Sequence, residues 1–476
     1  MKKLAVRLSV LLALLFSANA FAGLPVAVAD ALKKVSIPQS NVAVYVQALD
    51  ETAPLISHNA NKSFNPASVM KLVTTNAALD LLTPAYRWKT EVYRDGEVKG
   101  GLLNGNLIIK GYGDPSFNVE EFWRLLMVVQ QAGIANITGN LIVDKSYFPP
   151  NVGNGKPYDN ETWRAYNAMP SAFLINGRNT SFKFNVTDAK VTINQEFALQ
   201  EIQIVNNMVL SQQACGDWRS QMRYDIKPNQ TNFGNDKMVV TFNGGFSSDC
   251  GERYLELSVL NDEQYAFYTF KKLWSELGGA FTGQLKIHEL PSNAIKVTEQ
   301  FSEPLGHIVR DINKWSNNLM ARQLLLTLSA EKQDLPVTGA KGAAVIKDWL
   351  NTKKINASEL VIENGSGLSR IERISSANLG KMLVSAYHSP VMPELIASLP
   401  ILGLDGTTKM RLKDSLSAGR VHIKTGSIDG ISAIAGYILD AQNKRYVVVM
   451  MVNHANAAAS KIAQDSLIEW FYKQAH

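Results

Sequence analysis

Between Asn41 and Leu49, the apolar residues Val42, Val44 and Val46 alternate with other residues, which is the period of a half-buried strand. A second extended stretch, Pro54 to Ser57, is positioned to pair with it. In Asn65-Pro66-Ala67-Ser68, Asn65 can cap a helix and Pro66 can occupy its first turn, ahead of helix-forming residues that run through Leu82 and stop at Pro84. Ser68 is thereby placed in the first turn of a buried helix. From about Trp88 to Glu289, short strand-like pieces are separated by turn signals such as Asp95-Gly96, Asn104-Gly105 and Asn243-Gly-Gly245, so mostly β structure is expected there. Within it, Asn104-Gly-Asn-Leu-Ile-Ile109 and Thr138-Gly-Asn-Leu-Ile-Val143 resemble each other; two copies do not make a solenoid.

Helical spacing returns at Leu305, Ile308, Val309, Ile312, Trp315 and Leu319, interrupted around Ser316-Asn317-Asn318, and helical stretches continue to about Ser398. Three strands are then expected, Val421 to Ser427, Ile431 to Leu439 and Tyr446 to Val452, followed by a closing helix from Lys461 to Tyr472. Strands at both ends with helices between them predict one α+β domain built from both termini. The expected division is 23–87 and 290–476 for that domain and 88–289 for one or two insertions, a second one nested at about 102–178.

At 476 residues the chain is too long for one compact core, which supports that division. Its start is different in kind: Lys2, Lys3 and Arg7 precede an apolar run from Leu8 to Phe16 and the small-residue stretch Ala18-Asn-Ala20, the layout of a cleaved secretory signal peptide over 1–22. That run is shorter than the ~20 apolar residues of a membrane span, and no later segment qualifies, so a periplasmic protein without an anchor after processing is expected. The formal net charge of +6 falls to +3 once Lys2, Lys3 and Arg7 are removed, and no basic block stands out. Nucleic-acid binding therefore has no support in composition. Two cysteines, Cys215 and Cys250, suit a disulfide in an oxidising compartment, and the seven histidines show no metal-ligand spacing. No metal or cofactor is expected.

A serine hydroxyl is a weak nucleophile at neutral pH and needs an adjacent base and a place for the oxyanion. Ser68-Val69-Met70-Lys71 places an amine three residues from a hydroxyl on one helix face, within reach of its proton. Lys424-Thr425-Gly426-Ser427, on an expected strand, offers an ammonium and two hydroxyls to a carboxylate, with a glycine that allows close backbone approach. Ser316-x-Asn318, in a break between helices, adds a hydroxyl for proton relay and an amide that both donates and accepts. Each motif alone is weak; the three in this order, on helix, loop and strand, are far more specific.

Together they resemble the penicillin-recognising serine enzymes. The long gap from Lys71 to Ser316 makes the chain similar to the class C low-molecular-mass penicillin-binding proteins, the S13 family of D-alanyl-D-alanine carboxypeptidases/endopeptidases, as do Gly111-Tyr-Gly-Asp-Pro115, Gly365-Ser-Gly-Leu-Ser-Arg370 and Gly403-Leu-Asp-Gly-Thr407. The resemblance implies a β-lactamase/transpeptidase-like catalytic domain interrupted by mostly β insertions. It also implies Ser68 as the acylated nucleophile, Lys71 as its base, Ser316 as proton relay and Asn318 as the partner of the substrate amide. Lys424 would keep Lys71 partly neutral by like-charge repulsion and, with Thr425 and Ser427, bind the terminal carboxylate. The backbone N–H groups of Ser68 and Ser427 would form the oxyanion hole. The implied partners are peptidoglycan stem peptides ending in D-Ala-D-Ala, D-alanyl cross-links, and β-lactams as inhibitors.

Asn317 and Asn364 stand where relatives often have Asp, which puts local structure in question rather than the reaction class. His422 carries no expected catalytic role, Trp315 is read as core, and Asp405 and Arg370 are read as loop scaffolding. Two other function classes share these motifs. A β-lactamase would deacylate quickly after reaction with penicillin, and a silent peptidoglycan-binding module would not acylate at all.

Overall fold

The computed structural model describes residues 23–150, 152, 157–228 and 237–473; the expected signal peptide, 1–22, lies outside them. The chain divides into two compact units, one of residues up to Ala85, Leu305–Ala321 and Ala343–His476, the other of Tyr86–Pro304 and Arg322–Gly342. Among the described residues, no helix is long and apolar enough to cross a membrane.

The first unit is built on a five-stranded antiparallel sheet, in the order Ile56–His58, Val42–Ala48, Arg445–Asn453, Ile431–Leu439, Val421–Ile428. Both chain ends meet in it, as the α+β reading expects. One correction concerns Val42–Ala48, which is buried at all seven positions rather than on alternate ones. Its place inside the sheet is the reason, because helices cover both faces. Val28 and Leu32 of the helix Val26–Lys34 and Leu467 and Ile468 of the helix Lys461–Lys473 pack on Val42, Val44 and Val46, while the helix Ser376–Tyr387 packs on the opposite face. Each such fully buried aliphatic side chain stabilises the fold by about 1.5–3 kcal/mol relative to exposure.

In the second unit, a five-stranded sheet runs in the order Leu285–Ile287, Leu141–Asp144, Leu107–Gly111, Lys89–Arg94, Ile295–Phe301. The two similar segments noted in the sequence pair in parallel here, Leu107 opposite Leu141, and a third copy, Phe281-Thr-Gly-Gln-Leu-Lys-Ile287, adds alongside with Leu285 opposite Leu141. Two helices absent from the β-rich reading belong to this unit. Val119–Gln131 buries Phe122, Leu125, Leu126 and Val129 at helical spacing behind an Asn118 cap. Asp262–Glu276 starts at a capping box of Asn261 and Gln264. Cys215 and Cys250 are bridged, 35 residues apart in sequence. Closing a loop of that size is worth about 3–4 kcal/mol in the chain-entropy account.

Candidate active site

Ser68 lies in a 3-10 turn, Ala67–Val69, that leads into the helix Met70–Leu82. The N-cap position of the turn is Pro66 rather than the expected Asn65; Asn65 stands just before it, its Oδ1 accepting from the Ala67 N–H at 2.9 Å and its Nδ2 donating to the Ser369 carbonyl at 2.8 Å. Ala67 holds φ at +46°, a conformation that costs a non-glycine residue energy and is kept here by packing on both sides. On one side, a Cβ at Gly426 would stand 2.7 Å from the Pro66 carbonyl oxygen and 3.0 Å from Ser68 N. On the other, a Cβ at Gly367 would stand 1.9 Å from the Ala67 oxygen. The strand Val421–Ile428 and the segment at Gly367 thus bring their backbones against the N–H of Ser68. Gly426→Ala is expected to displace that N–H and to slow acylation by about 10²–10³-fold, the effect of losing one oxyanion donor, with the melting temperature as the check on folding.

Lys71 is fully buried. Its Nζ lies 3.1 Å from Ser68 Oγ, 2.5 Å from Asn318 Oδ1 and 2.5 Å from the Ser366 carbonyl oxygen. A neutral amine has two N–H donors and one lone pair, so with Asn318 and Ser366 as acceptors the lone pair is left for the Ser68 hydroxyl. Two residues distant in sequence, Asn318 and Ser366, are in this way drawn to the nitrogen that meets Ser68.

Ser316 follows the helix Leu305–Lys314 and has φ of +59°. Its Oγ accepts from Lys424 Nζ at 2.9 Å, and Lys424 also donates to the Thr425 carbonyl at 2.7 Å. Burial pushes the Lys424 ammonium down to about 7, so this lysine exchanges its proton near neutrality. The physical cause is desolvation rather than a neighbouring charge. Thr425 Oγ1 meets Thr407 Oγ1 at 3.0 Å, and Ser427 is exposed at the end of the strand.

Both Asn substitutions keep the local structure. Asn317 Oδ1 accepts from the Met320 N–H at 3.0 Å and so starts the helix Asn318–Lys332. Asn364 Oδ1 accepts from Ser366 N and Oγ at 2.9 and 2.7 Å, and its Nδ2 donates to the Leu368 carbonyl at 3.0 Å, a bond that an Asp carboxylate would not make. Trp315 is corrected: it is 63% exposed, not core. Helical spacing would put it with Ile308 and Ile312, but the helix ends at Lys314 and the chain turns outward.

Sequence reasoning missed three contributors. The Ser366 carbonyl is a backbone atom with no side-chain signature. Lys314, nearly buried, pairs with Asp405 and ties the 401–408 loop to the turn that carries Ser316. Burial acts against the Asp405 carboxylate, but the Ile401 N–H and the Lys314 ammonium hold it below the usual range. Glu372, fully buried beside the Gly365-Ser-Gly segment, is the third. Asp405 and Arg370 do anchor loops, Asp405 through Lys314 and Arg370 through Asp429 at 3.5 Å. His422 accepts no catalytic partner; burial lowers its proton affinity and its Nδ1 faces the Ile396 carbonyl at 3.3 Å.

Residues 24–474 match the D-Ala-D-Ala carboxypeptidase 3 (S13) family. The chain belongs to that family. Among similar proteins, a D-alanyl-D-alanine carboxypeptidase of Haemophilus influenzae is 24% identical over 94% of this chain and 91% of its own length. A D-alanyl-D-alanine carboxypeptidase of an Actinomadura species is 25% identical over 87% of this chain and 78% of its own. The crystal structure of penicillin binding protein 4 from Haemophilus influenzae superimposes with a TM-score of 0.76 at 23% identity, covering 94% of this chain and 99% of that one. The S13 fold therefore extends through both units of the chain.

Proposed function

We propose that this S13 enzyme is a serine-type D-alanyl-D-alanine carboxypeptidase and DD-endopeptidase of peptidoglycan that works through an acyl-enzyme on Ser68 and is blocked by β-lactams. The observation that carries the reading is the pair of lysines, each on a different serine: Lys71 Nζ at 3.1 Å from Ser68 Oγ and Lys424 Nζ at 2.9 Å from Ser316 Oγ. Neutral Lys71 takes the Ser68 proton as Oγ attacks the D-alanyl carbonyl carbon. The developing oxyanion is received by the N–H groups of Ser68 and Ser427, and Asn318 holds the substrate's amide. Ser316, polarised by Lys424, passes a proton to the leaving amine, and the C–N bond breaks. Water then hydrolyses the ester. Lys424, Thr425 and Ser427 bind the terminal carboxylate of a D-Ala-D-Ala stem, and Trp315, exposed next to Ser316, gives the leaving side an apolar face.

We take 23–87 and 290–476 as the catalytic domain and 88–289 as the insertion. Export through a signal peptide over 1–22 would deliver the enzyme to the periplasm, where its substrate and an oxidising environment for Cys215–Cys250 are both found. Relatives named for D-alanyl-D-alanine carboxypeptidase activity support the substrate class. The test is product analysis on purified muropeptides: release of terminal D-alanine from uncrosslinked pentapeptides and of monomers from D-alanyl-crosslinked dimers. Failure to release either product overturns the reading.

A further inference from the structure

Glu372 is fully buried and lies in a segment that curls back toward the catalytic serine. Residues Val361 and Arg373 pair as an antiparallel bridge, and the chain between them forms a loop. At its closed end, Glu372 Oε1 accepts the N–H groups of Glu363, Asn364 and Gly365 at 3.1, 2.9 and 2.9 Å. Three backbone donors on one oxygen form an anion-binding nest. Oε2 has no hydrogen-bond partner among the described residues. The next residues of the loop touch the reacting groups: the Ser366 carbonyl accepts from Lys71 Nζ at 2.5 Å, the Gly365 carbonyl accepts from Thr74 Oγ1 at 2.7 Å, and Gly367 packs on the Ala67 carbonyl and Ser68 N.

We infer that Glu372 is a positioning residue for acylation: it wraps residues 363–365 so that the Ser366 carbonyl meets Lys71, and its charge acts on that lysine. This rests on the reading of Ser68 and Lys71 given above. Burial pushes the Glu372 carboxyl up, and the three N–H groups and the positive charge of Lys71 act against that shift. Of the other charged groups nearby in sequence, Glu363 and Arg370 are exposed and Arg373 is half-buried, its guanidinium turned to the Arg370 and Glu372 carbonyls. Across the site, Lys424 is buried on its own strand with Ser316.

The sign of the effect follows from which form of Lys71 reacts. A negative charge near a lysine favours its protonated form, and acylation needs the neutral form. Glu372→Gln keeps an oxygen for the three N–H groups and removes the charge. The second-order rate of acylation by benzylpenicillin, measured across pH, should then keep an acid limb displaced to lower pH by about one unit. Glu372→Asp keeps the charge but withdraws it from the loop, so its acid limb should stay near that of the wild type while the plateau rate falls by about tenfold or more. A Glu372→Gln profile that overlays the wild type overturns the charge role, as does an equal shift in both variants, which would mark loop distortion. A Glu372→Asp plateau equal to the wild type overturns the positioning role, even if Glu372→Gln fails to fold. Wild-type protein that penicillin does not acylate at Ser68 would instead remove the reading on which the inference stands.

Discussion

Replacing Lys71 by Ala is expected to slow acylation of Ser68 by about 10²–10⁴-fold with every acyl donor, carboxylate-bearing or not, because general-base assistance is typically worth that much. The geometry gives the reason. Lys71 Nζ is the nitrogen at 3.1 Å from Ser68 Oγ, while Asn318 and Ser366 use its N–H groups and leave its lone pair for the hydroxyl. The same substitution strands the buried Ser366 carbonyl, which costs about 1–3 kcal/mol, and frees the part-buried Asn318 Oδ1, so the melting temperature must be followed beside the rate. Lys71→Arg separates the two effects, since a guanidinium can donate to both oxygens but stays protonated. Loss of acylation in the Arg variant without loss of stability is the expected result. A rate within tenfold of the wild type in the Ala variant would remove Lys71 as the base.

Lys424 should behave differently in kind. Lys424→Ala is expected to reduce acylation by donors with a free carboxylate about 10- to 100-fold more than acylation by matched donors masked as amides, the range of a charged hydrogen bond worth about 1.5–3 kcal/mol. Burial also makes its charge labile, since the ammonium is pushed down to about 7. The free enzyme should therefore lose its preference for carboxylate donors as pH rises through about 7, where Lys424 becomes neutral. A bound carboxylate favours the protonated form and moves the same loss to higher pH in the complex. The second-order rate and the maximal rate should accordingly break at different pH values, with the latter higher. Equal losses for carboxylate and amide donors at every pH would leave Lys424 only its bond to Ser316 Oγ.

The side chains that the structure gathers at the candidate site were legible in the sequence because each belongs to a compact motif: Ser68 with Lys71, Ser316 with Asn318, Lys424 with its strand neighbours. The periodicity of Val421 to Leu439 likewise predicted the strands that the sheet contains. What was not legible depends on tertiary context. Val42–Ala48 alternates in sequence but is buried on both faces, which only the placement of helices decides. Trp315 continues a helical stripe, yet the helix stops one residue earlier and leaves it exposed. Lys314 and Asp405 are 91 residues apart, and neither residue's neighbours announce the other. The third copy of the Gly-Gln-Leu-Lys-Ile type, near 281–287, is degenerate in its polar positions and became recognisable only once paired in parallel with 141–144. Glu372 is hidden for a related reason, since a buried carboxyl that acts on backbone N–H groups has no partner side chain to betray it.

The central claim, an acyl-enzyme on Ser68, is tested most directly by intact-protein mass spectrometry after brief exposure to benzylpenicillin, followed by peptide mapping. The account predicts one covalent equivalent on the wild-type chain, persisting for minutes or longer and located in the peptide that contains Ser68, and no adduct on Ser68→Ala. An adduct that remains in Ser68→Ala, that maps to another residue, or that is hydrolysed as fast as it forms would contradict it.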